Sequence, residues 1–324
     1  MLGLDQAAIA AMAQADPLIG NVVPMVPGRT VHIDGDYLAY YGSGKETTSP
    51  EEARINTLNI IDRAKYRSGS EFATVHLTMP GSDKAGRYLI ATVKEYQAQR
   101  GGGHPKNWEF LRTVLENYSG DAFRVVKWVD READDGISLA LAKSNGSDAV
   151  YAKDKDMQML WGWHLDWSDT TILTHVPNWA YDVKDKNGLQ FGLKWFWLQM
   201  LQGDSADNIP GLEKCVNSKG KAVLCGEKTA EKILADVHSH TFAFVKVADE
   251  YAKYYEDLWP ERFVEQAALL WLRKDPQAHV FDFLRYLPDN QQEWGEVAEA
   301  AYRLHKRVEE QRAALDALTN QGEA

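Results

Sequence analysis

The chain has 324 residues, is 44% hydrophobic with 11 Trp, and carries a formal net charge of −11. That length allows one large core or two modest ones, and the acidic balance argues against a protein that simply coats nucleic acid. No apolar run approaches the ~20 residues of a transmembrane helix. The Ala-rich start contains Asp5 and Asp16 and no cationic segment, so no secretory signal is expected.

Residues 4–15 have helical spacing and precede a stretch punctuated by Pro17, Gly20, Pro24, Pro27 and Gly28, which reads as an N-terminal arm and linker over 1–28. Residues 29–34 form a first strand, with Val31 and Ile33 alternating before an abrupt acid. Ser49-Pro50-Glu51-Glu52 opens a helix over 50–68. Strands follow at 72–78, 123–129, 148–152 and 171–175, with helices at 106–118 and 132–144. This alternation predicts an α/β fold over 29–190: a mainly parallel central sheet with helices on both faces. Beyond residue 190 the pattern is helical, at 193–202, 227–237, 242–257, 261–273 and 292–318. Gly101-Gly102-Gly103-His104-Pro105 must be a flexible or sharply turned loop.

Charge reverses locally. Residues 84–112 hold six Lys or Arg against Glu95 and Glu109, and residues 214–232 hold five Lys against Glu227 and Glu231. Either segment could track a nucleic-acid backbone or be a solvated helix face. The tail over 289–324 is acidic, with eight acids against four bases. The two cysteines, Cys215 and Cys225, lack zinc-finger spacing and fit a reducing cytoplasm in which both stay thiols.

Four short acidic clusters dominate the chemistry. Asp34 and Asp36 follow the first strand; Glu132, Asp134 and Asp135 follow the third; Asp154 and Asp156 follow the fourth; Asp204 and Asp207 lie in Gly203–Gly211. Open α/β sheets place their sites at such strand ends. Taken singly, each cluster has a bland reading. Three acids at a helix start suit the helix dipole, Asp154 and Asp156 on one side of an extended segment could be a charged turn, and Asp204 and Asp207 could share a capping face. Together they cannot converge without cations, because like charges ~4 Å apart repel by several kcal/mol at intermediate dielectric. Hard oxygen donors in that number point to Mg²⁺ or Mn²⁺ rather than zinc.

Val31-His32-Ile33-Asp34-Gly35-Asp36, Glu132-Ala133-Asp134-Asp135, Ala152-Lys153-Asp154-Lys155-Asp156, Gly203-Asp204-Ser205-Ala206-Asp207-Asn208-Ile209-Pro210-Gly211 and Gly226-Glu227-Lys228-Thr229-Ala230 occur in that order. In this the chain resembles the 5′-3′ exonuclease and flap endonuclease family, in particular the phage exonucleases and the N-terminal nuclease domain of bacterial DNA polymerase I. The resemblance spans about 29–236. It implies a PIN-like nuclease sheet with an arch near 84–112, then a helix-three-turn-helix over about 203–236 that grips duplex DNA. It also implies a metal-dependent 5′-3′ exonuclease with flap endonuclease capacity, acting on duplex DNA with 5′ ends or flaps or on an RNA–DNA hybrid, in the host cytoplasm if phage-encoded.

The family's metal ligands fall on Asp34, Glu132, Asp134, Asp154, Asp156, Asp204 and Asp207, with Asp135, Arg100 and Lys94 as further catalytic residues. Two Mg²⁺ ions would clamp the scissile phosphate. Arg87, Lys94, Tyr96 and Arg100 are the expected DNA-facing residues of the arch, and Gly211, Gly226, Lys228 and Thr229 those of the helix-three-turn-helix, beside which K⁺ often binds in this family.

Three departures stand out. The acid expected after the second strand is missing or displaced to Asp83. The family's Tyr-Lys-x-x-Arg element reads Tyr96-Gln97-Ala98-Gln99-Arg100, leaving Lys94 to substitute for the lysine at Gln97. Residues 215–225 interrupt the helix-three-turn-helix as an extended hairpin. Two rivals stay open: a phosphatase of the haloacid dehalogenase class using Asp34-Gly35-Asp36, and a non-catalytic DNA-junction binder.

Overall fold

The computed structural model describes residues 23–99, 101–217, 219–289 and 291–322, so the arm helix expected over 4–15 lies outside the described residues. Apolar alternation builds the sheet. β1 (Val26–Asp34) is central, with Val31 and Ile33 fully buried on one face. It pairs in parallel with β2 (Ser70–Thr78) on one side and β4 (Ala149–Tyr151) on the other. β3 (Arg124–Trp128) extends the sheet in parallel beyond β2, and β5 (Gly162–Leu165) beyond β4. β6 (Leu173–Val176) closes that edge antiparallel, giving the order β3-β2-β1-β4-β5-β6. Because β1, β3 and β4 run the same way, Asp34, Glu132 and Asp154 are all delivered at one end of the sheet.

Successive residues of β4 face opposite cores: Ala149 and Tyr151 join one cluster, Val150 the other. Helix α2 (Pro50–Arg67), closed by a Ser49–Glu52 capping box, covers the first face with Ala53, Ile61 and Ala64. Helix α5 (Ala133–Lys143) covers the second with Ile137 and Leu141. Between them in sequence come α1 (Gly35–Gly42), the short α3 (Arg87–Ile90) and α4 (Trp108–Glu116). Neither α1 nor β5 was legible as an element, since both are short.

The C-terminal half is helical apart from two small hairpins. β7 (Val183–Lys184) pairs with β8 (Gln190–Phe191) ahead of α6 (Leu193–Gln202). β9 (Lys214–Val216) and β10 (Ala222–Leu224) form the hairpin expected between the cysteines, both of which are buried thiols. Helices α7 (Glu227–Ile233), α8 (His240–Tyr255), α9 (Trp259–Leu270) and α10 (Gln292–Gly322) follow. α9 stops earlier than its apolar spacing predicts because the segment after it docks on α3, on α5 and on the loop ahead of α5. Arg87 Nη2 donates to the Trp271 carbonyl at 3.2 Å, Ser138 Oγ to the Leu272 carbonyl at 3.2 Å, and Arg131 Nη1 to the Asp275 carbonyl at 2.9 Å. Among the described residues, no helix is long and apolar enough to cross a membrane.

One glycine fixes how closely α5 approaches the sheet. A Cβ at Gly136 would lie 2.0 Å from Trp128 Nε1, the atom that donates to His76 Nδ1 at 3.1 Å. His76 Nε2 in turn meets His32 Nδ1 at 3.0 Å, and His32 Nε2 meets Asp148 at 3.1 Å, so a buried polar chain spans the strands behind the acidic end. Gly136→Ala must push α5 away or break that chain. It is expected to cost about 1–3 kcal/mol, read as a lower urea midpoint at unchanged m-value.

Candidate metal and nuclease site

The carboxylates gather in two neighbouring sets. Asp34, Asp134 and Asp154 line an open cleft of about 690 Å³, together with Asp36, Glu132, Tyr37, Tyr40, Trp108 and Arg112. Asp156, Asp204 and Asp207 form a second set whose ligand oxygens lie within 4.8 Å of one another.

Local structure explains the split. Asp34 caps α1, accepting the Asp36 and Tyr37 amides at 3.0 and 3.2 Å, which fixes one oxygen. The residues after β4 do not stay extended, as their spacing suggested, but turn immediately into a 3₁₀ helix capped by Asp154, which accepts the Asp156 amide at 2.7 Å. That turn sends Asp154 to the cleft and Asp156 to the triad, where Gln199 Nε2 of α6 donates to it at 2.6 Å. Asp204 and Asp207 ride on a loop pinched by mutual 2.8 Å backbone hydrogen bonds between Asp204 and Ile209. Gly203, at φ 74°, permits the pinch: a Cβ there would meet the Ile209 carbonyl at 2.3 Å.

The electrostatics are those of unneutralised anions. Burial, then the charges of Asp36 and Asp154, raise the Asp34 carboxyl to about 7. Burial, with Asp207 and Asp204 behind it, raises Asp154 to about 6. Asp134 is pushed well above the usual range by burial and by Asp34, Asp154 and Glu132, and Asp156 likewise by burial, Asp154 and Asp204. Lys155 Nζ pairs with Asp204 at 2.7 Å, and Arg112 is taken up by Asp36.

Several expected residues are elsewhere. Arg87, expected to face DNA, is 2% exposed, and Asp135, expected to be catalytic, is fully buried. They form a bidentate pair at 2.6 and 2.8 Å, and Asp135 also accepts the Arg273 amide at 2.9 Å. Burial alone would raise Asp135; Arg87 and Arg273 overcome it and hold the carboxyl below its usual range. This pair bolts the C-terminal region to the sheet and is closed to a ligand. Tyr96 is also buried rather than DNA-facing, with its hydroxyl 2.7 Å from Glu132 and 2.9 Å from Asp207. The Gly211 amide donates inward to Gln266 at 3.0 Å, which withdraws it from a DNA backbone.

Asp83 pairs with Arg312 of α10 at 2.8 Å and is not among the residues that line the cleft. Lys94 is exposed, and the lysine that reaches Gln97 and Glu132 is Lys84, whose ammonium lies 3.7 Å from Glu132. Nothing in the sequence distinguished Lys84 from its basic neighbours. Lys228 is exposed and Gly226 and Thr229 half-buried at the start of α7, while Arg100 lies outside the described residues. Asp36 also accepts the Thr78 amide at 3.1 Å, so the second acid of the phosphatase reading is already occupied.

The mainly parallel sheet followed by a helical C-terminal region is an α/β fold shared with solved phage nucleases. The chain has the fold of the bacteriophage T5 enzyme. It superposes on the T5 flap endonuclease in a pseudo-enzyme–product complex with DNA and metal ions with a TM-score of 0.52 at 12% identity, covering 87% of this chain and 99% of that one. A T5 protein co-crystallised with metal ions gives 0.50 at 13% identity, covering 87% and 98%. The T5 5′-exonuclease with bound zinc gives 0.50 at 14%, covering 86% and 100%. No protein-family model matches the sequence, and no curated protein does.

The donor set, all carboxylate and mutually repelling, suits a hard divalent cation. Raised carboxyls favour the folded metal-free protein at low pH, and that contribution is lost as pH rises through about 6 for Asp154 and about 7 for Asp34. A cation competes with those protons. The rise in melting temperature on adding Mg²⁺ to the DNA-free protein should therefore be larger at pH 8 than at pH 5; an equal shift at both would mean that these carboxylates do not hold the ion.

Proposed function

We propose that this chain is a divalent-metal-dependent 5′-3′ exonuclease with flap endonuclease capacity. It would hydrolyse phosphodiesters near the 5′ ends of duplex DNA or of an RNA–DNA hybrid. The observation that carries the reading is the convergence of Asp34, Asp134 and Asp154 beside the triad Asp156, Asp204 and Asp207, at the acidic end of a sheet with the T5 nuclease fold.

Asp34, Glu132, Asp134 and Asp154 would hold one Mg²⁺ or Mn²⁺, and Asp156, Asp204 and Asp207 a second. Such ions, when bound, supply Lewis acidity toward the phosphoryl oxygens and lower the pKa of a water. The protein's own part is positional. The Asp34 and Asp154 caps fix one oxygen of each carboxylate, and both residues line the cleft. Gln199 orients Asp156, and Lys155 offsets part of the charge on Asp204. Preorganised charge of this kind costs no rearrangement during reaction.

Gly226, Lys228 and Thr229 at the start of α7 would meet the duplex backbone, with Lys94 and Arg100 on the arch. Those contacts read shape and charge rather than base sequence, which suits recognition of a free 5′ end. If the chain is phage-encoded, this activity would serve phage DNA replication or recombination in the host cytoplasm.

A 5′-labelled duplex and a matched flap, each incubated with Mg²⁺ or with EDTA, test the reading. Cleavage should require Mg²⁺ and fall on the order of 10²–10³-fold or more in Asp154→Ala. Equal cleavage in EDTA, or an Asp154→Ala protein as fast as its parent, would overturn it.

A further inference from the structure

Glu132 belongs to the cleft set and Asp207 to the triad, yet both converge on the same two side chains. Tyr96 has one hydroxyl proton for two carboxylates, at 2.7 and 2.9 Å, so it can donate to only one at a time. Gln97 has two amide hydrogens, and its Nε2 lies 3.1 Å from Glu132 and 3.2 Å from Asp207. Its amide orientation is set from behind, because Gln97 Oε1 accepts from Lys84 Nζ. The same ammonium, 3.7 Å from Glu132, joins Arg87 Nη1, 3.3 Å from it, in offsetting the repulsion between the two acids.

The backbone is committed to this arrangement. The Gln97 amide donates to the Asp207 carbonyl at 3.0 Å, and Asn208 Nδ2 donates to the Glu95 carbonyl at 2.8 Å. Gln99 Nε2 is bonded to the Ser205 carbonyl. Lys84, Gln97 and Asn208 all adopt the left-handed region, at φ 51°, 56° and 59°. Non-glycine residues stay there only where surrounding contacts over-determine them, and such strain gathers at functional sites.

We propose that Gln97, oriented by Lys84, is a positioning residue that sets the spacing between the cleft carboxylates and the triad. The inference rests on reading those carboxylates as a two-cation site. It assigns Gln97 a task inside the protein, holding Glu132 to Asp207, rather than a contact with DNA. Lys84 acts through Gln97 and Glu132.

Calorimetric titration of Mn²⁺ into the DNA-free protein tests this without relying on turnover. The parent should bind two ions. Gln97→Ala should weaken one of the two by about 10–100-fold, the range for loss of a group that orients metal ligands, and leave the other in place. Lys84→Met should shift the same step in the same direction, with Lys84→Arg restoring it. Should Gln97→Ala unfold, Gln97→Met keeps the volume, removes both amide hydrogens and is read in the same way. Unchanged or tighter binding of both ions in a folded Gln97 variant overturns the inference and leaves the nuclease reading standing. A parent protein that binds no Mn²⁺ overturns the nuclease reading itself.

Discussion

Bringing Asp34, Asp134 and Asp154 into one cleft, with Asp156, Asp204 and Asp207 beside it, concentrates negative charge that the protein itself neutralises only in part. Two such charges ~4 Å apart repel by about 4 kcal/mol at an effective dielectric of 20. Lys155 relieves Asp204, and Arg87 and Lys84 relieve Glu132, while burial first and then their neighbours' charge make Asp34, Asp134, Asp154 and Asp156 hold their protons more tightly. A fold that served stability alone would not assemble this group. The scaffold must hold it together against its own repulsion.

The scaffold does so from three directions. Parallel strands β1 and β4 end at the same edge, where caps lock Asp34 and Asp154 to the backbone. The loop after α6 is pinched shut at Gly203 and ties Asp204 and Asp207 to the helical region. The buried Arg87–Asp135 pair, extended to Arg273, fastens that helical region to the start of α5, which carries Glu132 and Asp134. Breaking such a pair strands a buried charge, at a cost of about 3–5 kcal/mol. The third acid of the Glu132-Ala133-Asp134-Asp135 cluster is thus a joint between the two halves of the site.

Much of this was written in local pattern. Val31 and Ile33 before Asp34 marked the central strand, Ser49-Pro50-Glu51-Glu52 marked a helix start, and the order of the acidic clusters pointed to one edge of a parallel sheet. What stayed hidden depends on contacts distant in sequence. Arg87 and Lys84 are both basic residues of one segment and both approach Glu132, yet Arg87 is also held by Asp135 and by the carbonyls of Leu269 and Trp271, and only the docking of residues 269–275 separates them. The divergence of Asp154 and Asp156 turns on whether the backbone stays extended or curls, which two-residue spacing does not decide. Gln97 looked like the loss of a charge; in space it has two acceptors and a lysine behind it.

On the proposed reading, divalent ions at two adjoining places relieve the mutual repulsion among these acids. Anomalous diffraction from crystals soaked in Mn²⁺ addresses it most directly. One peak is expected among Asp156, Asp204 and Asp207 and another against Asp34, Asp134 and Asp154. Crystals saturated with Mn²⁺ that show neither peak, with those carboxylates in place, would contradict it.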